Sequence, residues 1–191
     1  MKSFNPVGGS FNGHLFENPR TGVPLGIYWS FEVDFEPLVD DDGDEWPCNI
    51  LIEWLSWPLQ RWRQLDGCSL QTATPDVQPE VSVYAFSQHQ TVSHATFDLK
   101  IRGPHGAHIQ GAVVLDLEDL EGEVTSNLEI TFSADLTFNG LIVVPGNLVR
   151  KPSGATEATA ALAAFIDMSD FDAPEFDEWR WVFKPRASSV A

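Results

Sequence analysis

Alternation of apolar and polar residues over Val124 to Phe138, broken only at Ser126, constrains the fold of this chain more than any other feature. Successive side chains of a strand point to opposite faces, so the pattern predicts a long strand with one buried face and one face in water. Asn139-Gly140 follows, and this dipeptide readily supplies the positive φ angles of a two-residue hairpin turn. We therefore predict that Leu141 to Val144 returns beside the long strand.

The same alternation recurs through most of the chain. It predicts a half-buried strand over Ile27 to Glu36 that ends at Pro37, and a four-stranded meander over Val92 to Val144. Shorter elements are predicted as strands at residues 50–55, 81–86 and 179–183, a short helix from Pro58 to Leu65, and a late helix near Ala155 to Asp167. The chain is therefore expected to be mainly β: an antiparallel β-sandwich or a strongly curved sheet or barrel with one or two short α-helices, with an α+β fold as the alternative.

Length and composition favour one domain over residues 1–191, because 191 residues with a 43% hydrophobic fraction can bury one sizeable core. Residues 1–25 are rich in Gly, Asn and Pro, so we interpret them as a turn-rich arm. The first residues lack the continuous apolar segment of a signal peptide, and no stretch has the length of a membrane span. These features predict a cytoplasmic protein.

The charge balance is the main anomaly of the composition. The chain has 28 acidic and 11 basic residues, which gives a formal net charge of −17. Such a surface repels nucleic-acid phosphates and anionic membranes, and it attracts cationic partners over a few Debye lengths. We therefore expect a basic protein as the partner, and no binding to nucleic acid or membranes.

The acidic residues are clustered, and two of the clusters have aromatic neighbours. Acids concentrate in Asp40 to Glu45, in Asp116 to Glu123 and in Asp167 to Glu178. Proteins that bind a basic partner tightly often place acidic residues beside aromatic residues. The acidic residues accelerate association, and the aromatic residues anchor the complex. The candidate partner-binding residues are Glu32, Asp34, Glu36, Asp40, Asp41, Asp42, Asp44, Glu45, Trp46, Asp170, Asp172 and Phe176.

Catalytic and metal-binding motifs are weak or absent. The acidic loop fails the EF-hand pattern, because with Gly43 at position six the first position is Leu38. The spacing of His105 and His108 would suit a zinc or iron ligand pair on a helix, but Gly and Pro place them in a turn, so we predict no metal and no cofactor. Cys48 and Cys68 are too few for a disulfide scaffold, so we expect two free thiols, with a bridge between them as the alternative.

Three functions remain for this sequence. The leading hypothesis is a non-enzymatic acidic module that covers a basic surface, as an immunity protein covers the active cleft of a bacterial toxin. The first alternative is a β-barrel or sandwich that binds a small apolar or sugar ligand, since seven tryptophans offer stacking surfaces. The second is an enzyme in which His94, His105 or His108 meets Asp98 or Asp116. The oligomeric state is left open.

Overall fold

A computed structural model describes residues 4–39, 42–72, 80–85, 88–118 and 124–187. Ten strands in these ranges form one sheet. They are β1 (Pro6–Asn18), β2 (Val23–Val39), β3 (Glu45–Leu55), β4 (Ser69–Thr72), β5 (Glu80–Ala85), β6 (Gln88–Arg102), β7 (Gly106–Glu118), β8 (Val124–Val143), β9 (Glu175–Asp177) and β10 (Arg180–Phe183). The α-helix is α1 (Ala155–Ala163), and short 3-10 helices occur at Trp62–Leu65, Pro145–Asn147 and Met168–Asp170.

Strand pairing makes this a mixed, mainly antiparallel sheet. Its order is β1-β2-β3-β5-β6-β7-β8-β10-β9, with β4 beside β6. The pairing of β1 with β8 is parallel and joins Ser10 to Thr137 and Leu15 to Val143. Because β1 contacts both β2 and β8, the path of pairings bends back to its first strand. The expected mainly β fold with a strongly curved sheet is therefore confirmed.

The buried face of β8 supplies the centre of the core. Its inward residues are Ile130, Phe132, Ala134, Leu136 and Phe138, and all are buried, as the alternation predicted. The Phe138 ring lies 4.6 Å from that of Trp62 and 4.7 Å from that of Phe11, measured between ring centroids. Aromatic side chains from β1, β8 and the 3-10 helix at Trp62–Leu65 therefore fill the space inside the curve of the sheet.

The predicted hairpin at Asn139-Gly140 is wrong, because β8 continues through both residues to Val143. A two-residue hairpin turn needs positive φ at both central positions. Gly140 has a φ of 99°, but Asn139 does not have a positive φ. Among the described residues other than glycine, positive φ angles occur only at Trp54 and Glu178. Gly140 instead lies where a Cβ atom would overlap the carbonyl oxygen of Phe183, so it permits the close approach of β10.

The predicted N-terminal arm is wrong as well, since Pro6–Asn18 forms a strand with partners on both sides. Glycines suggested turns, yet Gly8 and Gly9 lie inside β1 with φ values of 144° and 152°. A Cβ atom on Gly9 would overlap the carbonyl oxygen of Glu32. These residues permit close approach of backbones rather than a turn.

Two further predictions that were based on proline residues, at Pro37 and at Pro58, are wrong. β2 does not end at Pro37, because a shift in pairing register between Phe35 and Leu38 absorbs this residue. The helix predicted from Pro58 is only the 3-10 helix at Trp62–Leu65. The late helix and the final strand are confirmed as α1 and β10, and Cys48 and Cys68 are free thiols as expected.

Candidate functional site

Five carboxylate side chains lie on the outer surface of three neighbouring strands, and we call this surface the acidic face. It consists of Glu32, Asp34 and Glu36 of β2, Glu53 of β3 and Glu80 of β5. Alternation along the strands places them there, because residues between them such as Phe31 and Val33 are buried in the core. The row that the sequence predicted on β2 is therefore the first row of a wider surface.

The register of the strands brings acids of different strands together. Glu53 lies directly opposite Glu80 in the pairing of β3 with β5. Glu32 lies opposite Leu51, two residues before Glu53 on the same face. Like charges directly opposite each other destabilise an antiparallel pair of strands. The fold thus concentrates negative charge across the strand direction as well as along β2.

Burial and mutual repulsion raise the pKa of two of these carboxyl groups. Partial burial raises the pKa of Glu32, and the Asp34 carboxylate adds to this effect. Partial burial likewise raises the pKa of Glu53, with further contributions from Glu80 and Glu32, while His89 acts in the opposite direction. In both groups burial is the largest cause, and repulsion between neighbouring carboxylates adds to it.

Neutral side-chain amides donate hydrogen bonds to Glu32 and Glu36, the first and last carboxylates of the row on β2. The Asn49 side-chain amide donates to Glu32 at 2.8 Å, and the Asn5 side-chain amide donates to Glu36 at 2.7 Å. The first of these hydrogen bonds favours the charged form of Glu32 and lowers its pKa, but its effect is smaller than that of burial. The amides orient the carboxylates without neutralising their charge.

The strands of the acidic face carry no cationic residue. No Lys or Arg occurs between residues 21 and 60 or between residues 64 and 99, which include β2, β3 and β5. The ion pairs of Asp135, Asp167, Asp172, Glu175 and Asp177 lie on other parts of the described chain. This long gap in basic residues is a sequence signal that marks the site, and it would have added Glu53 and Glu80 to the candidates.

Other predicted residues adjoin the acidic face at one end. Glu45 and Trp46 begin β3 and pair with Val39 and Leu38 of β2. Asp42 and Asp44 lie in the connection between the two strands and are exposed. Asp40 and Asp41 lie outside the described residues. The described acids Asp42, Asp44 and Glu45 therefore lie next to the end of β2 that carries Glu36.

The third group of predicted residues belongs to a different surface. Asp170 lies in the 3-10 helix at Met168–Asp170, and Asp172 forms an ion pair with Arg186 at 3.4 Å. Phe176 is on β9, exposed, with its ring 4.7 Å from that of Trp181. The pairing path from β9 to β2 passes through β10, β8 and β1, so the structure does not bring this group to the acidic face.

The histidines do not form a metal centre in the described part of the chain, where no group of three His, Cys, Asp or Glu residues is placed to hold a metal ion. His89 faces the Tyr84 ring at 5.3 Å between centroids. His108 does meet a carboxylate, but it is Asp135, at 2.7 Å, and not the predicted Asp98 or Asp116.

An apolar cleft of about 330 Å³ lies between α1, the first two strands and the segment from Leu148 to Pro152. Leu15, Leu25, Leu148 and Phe165 supply apolar walls, and Arg150 lines it as well. The interior of the sheet is filled by the aromatic residues around Phe138. The alternative of a small apolar ligand therefore points to this cleft.

Glu53→Gln is expected to stabilise the fold at neutral pH, by up to about 1 kcal/mol given the partial exposure of the site. A raised pKa means that the folded state binds protons more tightly than the unfolded state, so stability falls as pH rises above the ordinary glutamate value of 4.5. The gain from the substitution should therefore grow between pH 4.5 and 7, as urea unfolding at several pH values would measure. Glu129→Gln, on the exposed face of β8, is the control. An equal gain at every pH would contradict the explanation.

Comparison with protein-family models, with curated proteins and with solved structures found no match to this chain. In the described residues, no helix combines the length and the apolar character needed to cross a membrane. The functional proposal therefore depends on the geometry and electrostatics of the surface.

Proposed function

We propose that this protein is a binding module whose acidic face covers a basic surface of a partner protein. The observation that carries the proposal is the direct opposition of Glu53 and Glu80. Burial raises the pKa of Glu53, and the charges of Glu80 and Glu32 raise it further. Such crowding works against folding of the free protein. A cationic partner would attract these carboxylates and offset the repulsion between them, so the same crowding would stabilise the complex.

The surroundings of the acidic face fit a protein partner better than a small cation. Apolar and aromatic groups border the carboxylates: Val39 is exposed, and Leu51 and Trp46 are half-buried. An interface of this kind combines apolar contact with charges that accelerate and orient association. The partner chemistry that fits is a surface rich in Lys and Arg, such as a cleft that binds phosphates.

An immunity-type inhibitor is the particular form of this function that we favour. A toxin that acts on nucleic acid must present a basic cleft, and an inhibitor that carries acids in a fixed array can occupy it in place of the phosphates. The net charge of −17 and the acidic face support this assignment.

The test uses two variants with equal change in charge. Glu32→Gln, Asp34→Asn and Glu53→Gln together remove three of the five negative charges of the acidic face, while Glu129→Gln, Glu175→Gln and Glu178→Gln remove three exposed acids elsewhere. A basic protein captured from a lysate of the source by the wild-type chain is purified, and its association rate is measured at several salt concentrations. The acidic-face variant should associate about 10-fold more slowly or worse, with a weaker salt dependence, and the control variant should keep the wild-type rate within a few-fold.

Equal association rates for the two variants would overturn the proposal, as would a wild-type rate that ignores added salt. The proposal would also be overturned if the wild-type protein and the acidic-face variant captured the same proteins from the lysate. Thermal unfolding of both variants serves as the check that the fold is intact, since all six side chains lie on the outer faces of strands or in a turn.

A further inference from the structure

A second polar surface lies on the outer faces of β6, β7 and β8, which carry none of the five carboxylates of the acidic face. The register forms two rows across these strands. The first row is Lys100, His108 and Asp135, and the second is Asp98, Gln110 and Ser133. Because both rows point outward, a histidine, a serine, a carboxylate and a cation are placed side by side.

Hydrogen bonds link three of these residues in series. The His108 Nδ1 atom lies 2.7 Å from Asp135 Oδ1, and its Nε2 atom lies 3.1 Å from Ser133 Oγ. When Nδ1 carries the proton and donates to the carboxylate, Nε2 is free to accept from the serine hydroxyl. Both ring nitrogens are thus engaged, which fixes the orientation of the imidazole. A nucleophile, a base and a group that orients the base are the recurring parts of a nucleophilic hydrolase site.

We propose that Ser133, His108 and Asp135 form a nucleophilic relay that hydrolyses small carboxylic esters. Ser133 and His108 are the catalytic residues, and Asp135 is a positioning residue that acts through His108. Two shallow depressions adjoin the relay, one lined by Ser133 and the other by His108, and both Asp98 and Gln110 line the two of them. The acyl and alcohol parts of an ester can therefore occupy these two neighbouring depressions. This activity is independent of the acidic face.

The cations beside the relay suit the charge that develops during the reaction. Lys100 and Arg102 line the same depression as His108, together with the carboxylates of Asp66 and Asp98, and Arg102 also lies 3.5 Å from Asp135. Positive groups near a reacting carbonyl stabilise the negative oxygen of the tetrahedral intermediate. Because Asp66 and Asp98 balance the two cations in this depression, short neutral acyl esters are the expected substrate class.

The reaction balances with water as the second reactant. Ser133 Oγ attacks the carbonyl carbon while its proton moves to His108 Nε2, and the Oγ–carbon bond forms. The bond from that carbon to the alcohol oxygen then breaks, and the alcohol leaves with the proton from Nε2. Water next attacks the acyl group and gives a proton to Nε2, the Oγ–carbon bond breaks, and the same proton returns to Ser133.

A fluorophosphonate probe, which reacts with activated serine hydroxyls, tests the proposal on the full chain. We expect one covalent adduct by intact mass, mapped to Ser133 by peptide analysis, and hydrolysis of p-nitrophenyl acetate by the same protein. Ser133→Ala should abolish both signals, and His108→Gln should lower both rates by about 100-fold or more. Ser126→Ala, an exposed serine on the same strand outside the relay, is the matched control and should leave both unchanged.

Asp135→Asn tests the positioning role separately. It should lower kcat for the ester by about 10-fold or more while KM stays within a few-fold, because the substituted side chain no longer holds the imidazole in the required tautomer. Unfolding curves that match wild type would show that each variant keeps its fold. An unlabelled Ser133, equal labelling rates in the wild type and His108→Gln, or ester hydrolysis that survives Ser133→Ala would each overturn the proposal.

Discussion

Phe138→Ala is expected to lower the free energy of unfolding by about 3–5 kcal/mol, the range found for the loss of a large aromatic side chain from a core. Phe138 is almost fully buried, and its ring stacks on Trp62 at 4.6 Å and on Phe11 at 4.7 Å. Trp29 and Phe171 contact the same ring at 6.1 Å. Loss of Phe138 would therefore leave a cavity bordered by four other aromatic residues, whose rigid rings cannot easily close it.

Urea denaturation followed by tryptophan fluorescence measures this effect, since Trp29 and Trp62 border the site. Phe176→Ala is the matched control, because Phe176 is half exposed on β9 at the end of the pairing path. It should cost less than about 1 kcal/mol. Similar losses for the two variants would show that Phe138 is not the centre of the core.

Gly9→Ala is expected to destabilise the protein by about 2–6 kcal/mol for two additive reasons. The φ of 152° at Gly9 is one that side chains with a Cβ atom rarely adopt, and strain of this kind costs about 1–3 kcal/mol. The new methyl group would also overlap the carbonyl oxygen of Glu32 and approach Leu136 to 2.8 Å. Relief requires β1 to move away from both β2 and β8, a form of overpacking that costs about another 1–3 kcal/mol.

Gly8→Ala separates the two reasons, because it has a similar φ of 144° but its nearest contact would be 3.7 Å away, at the carbonyl oxygen of Asp135. It should show the strain alone, about 1–3 kcal/mol. Thermal and urea unfolding give the difference between the variants, and amide hydrogen exchange should show early opening of β1 in Gly9→Ala. Equal losses in both variants would indicate that close approach of the strands contributes nothing at Gly9.

Local sequence patterns predicted the strands well and their connections poorly. The alternation in β2, β6 and β8 depends on burial of one face, which is a property of the segment itself, so it was visible in the sequence. The roles of Gly9 and Gly140 depend on β2 and on β10, which come from distant parts of the chain. Glycine therefore suggested turns at places where the fold needs close approach of strands.

The same limit applies to the surface residues. Glu32, Asp34 and Glu36 follow one another at alternate positions, so a single strand was enough to predict their common face. Glu53 and Glu80 join them only through the register of β3 with β5, and Ser133 meets His108 only through that of β7 with β8. Register between strands depends on turn geometry and long-range packing, which a single sequence does not display.

The parallel pairing of β1 with β8 has a consequence for synthesis of the protein. Ser10 leaves the ribosome long before Thr137, its partner in this pairing. Until then β1 can pair with β2 alone, and its second edge presents unpaired backbone groups to other chains. Closure of contacts so distant in sequence is slow, because most of the chain must be ordered first. The strong like charge of the nascent chains would keep them apart during this interval, a protective role for acidity that needs no partner at all.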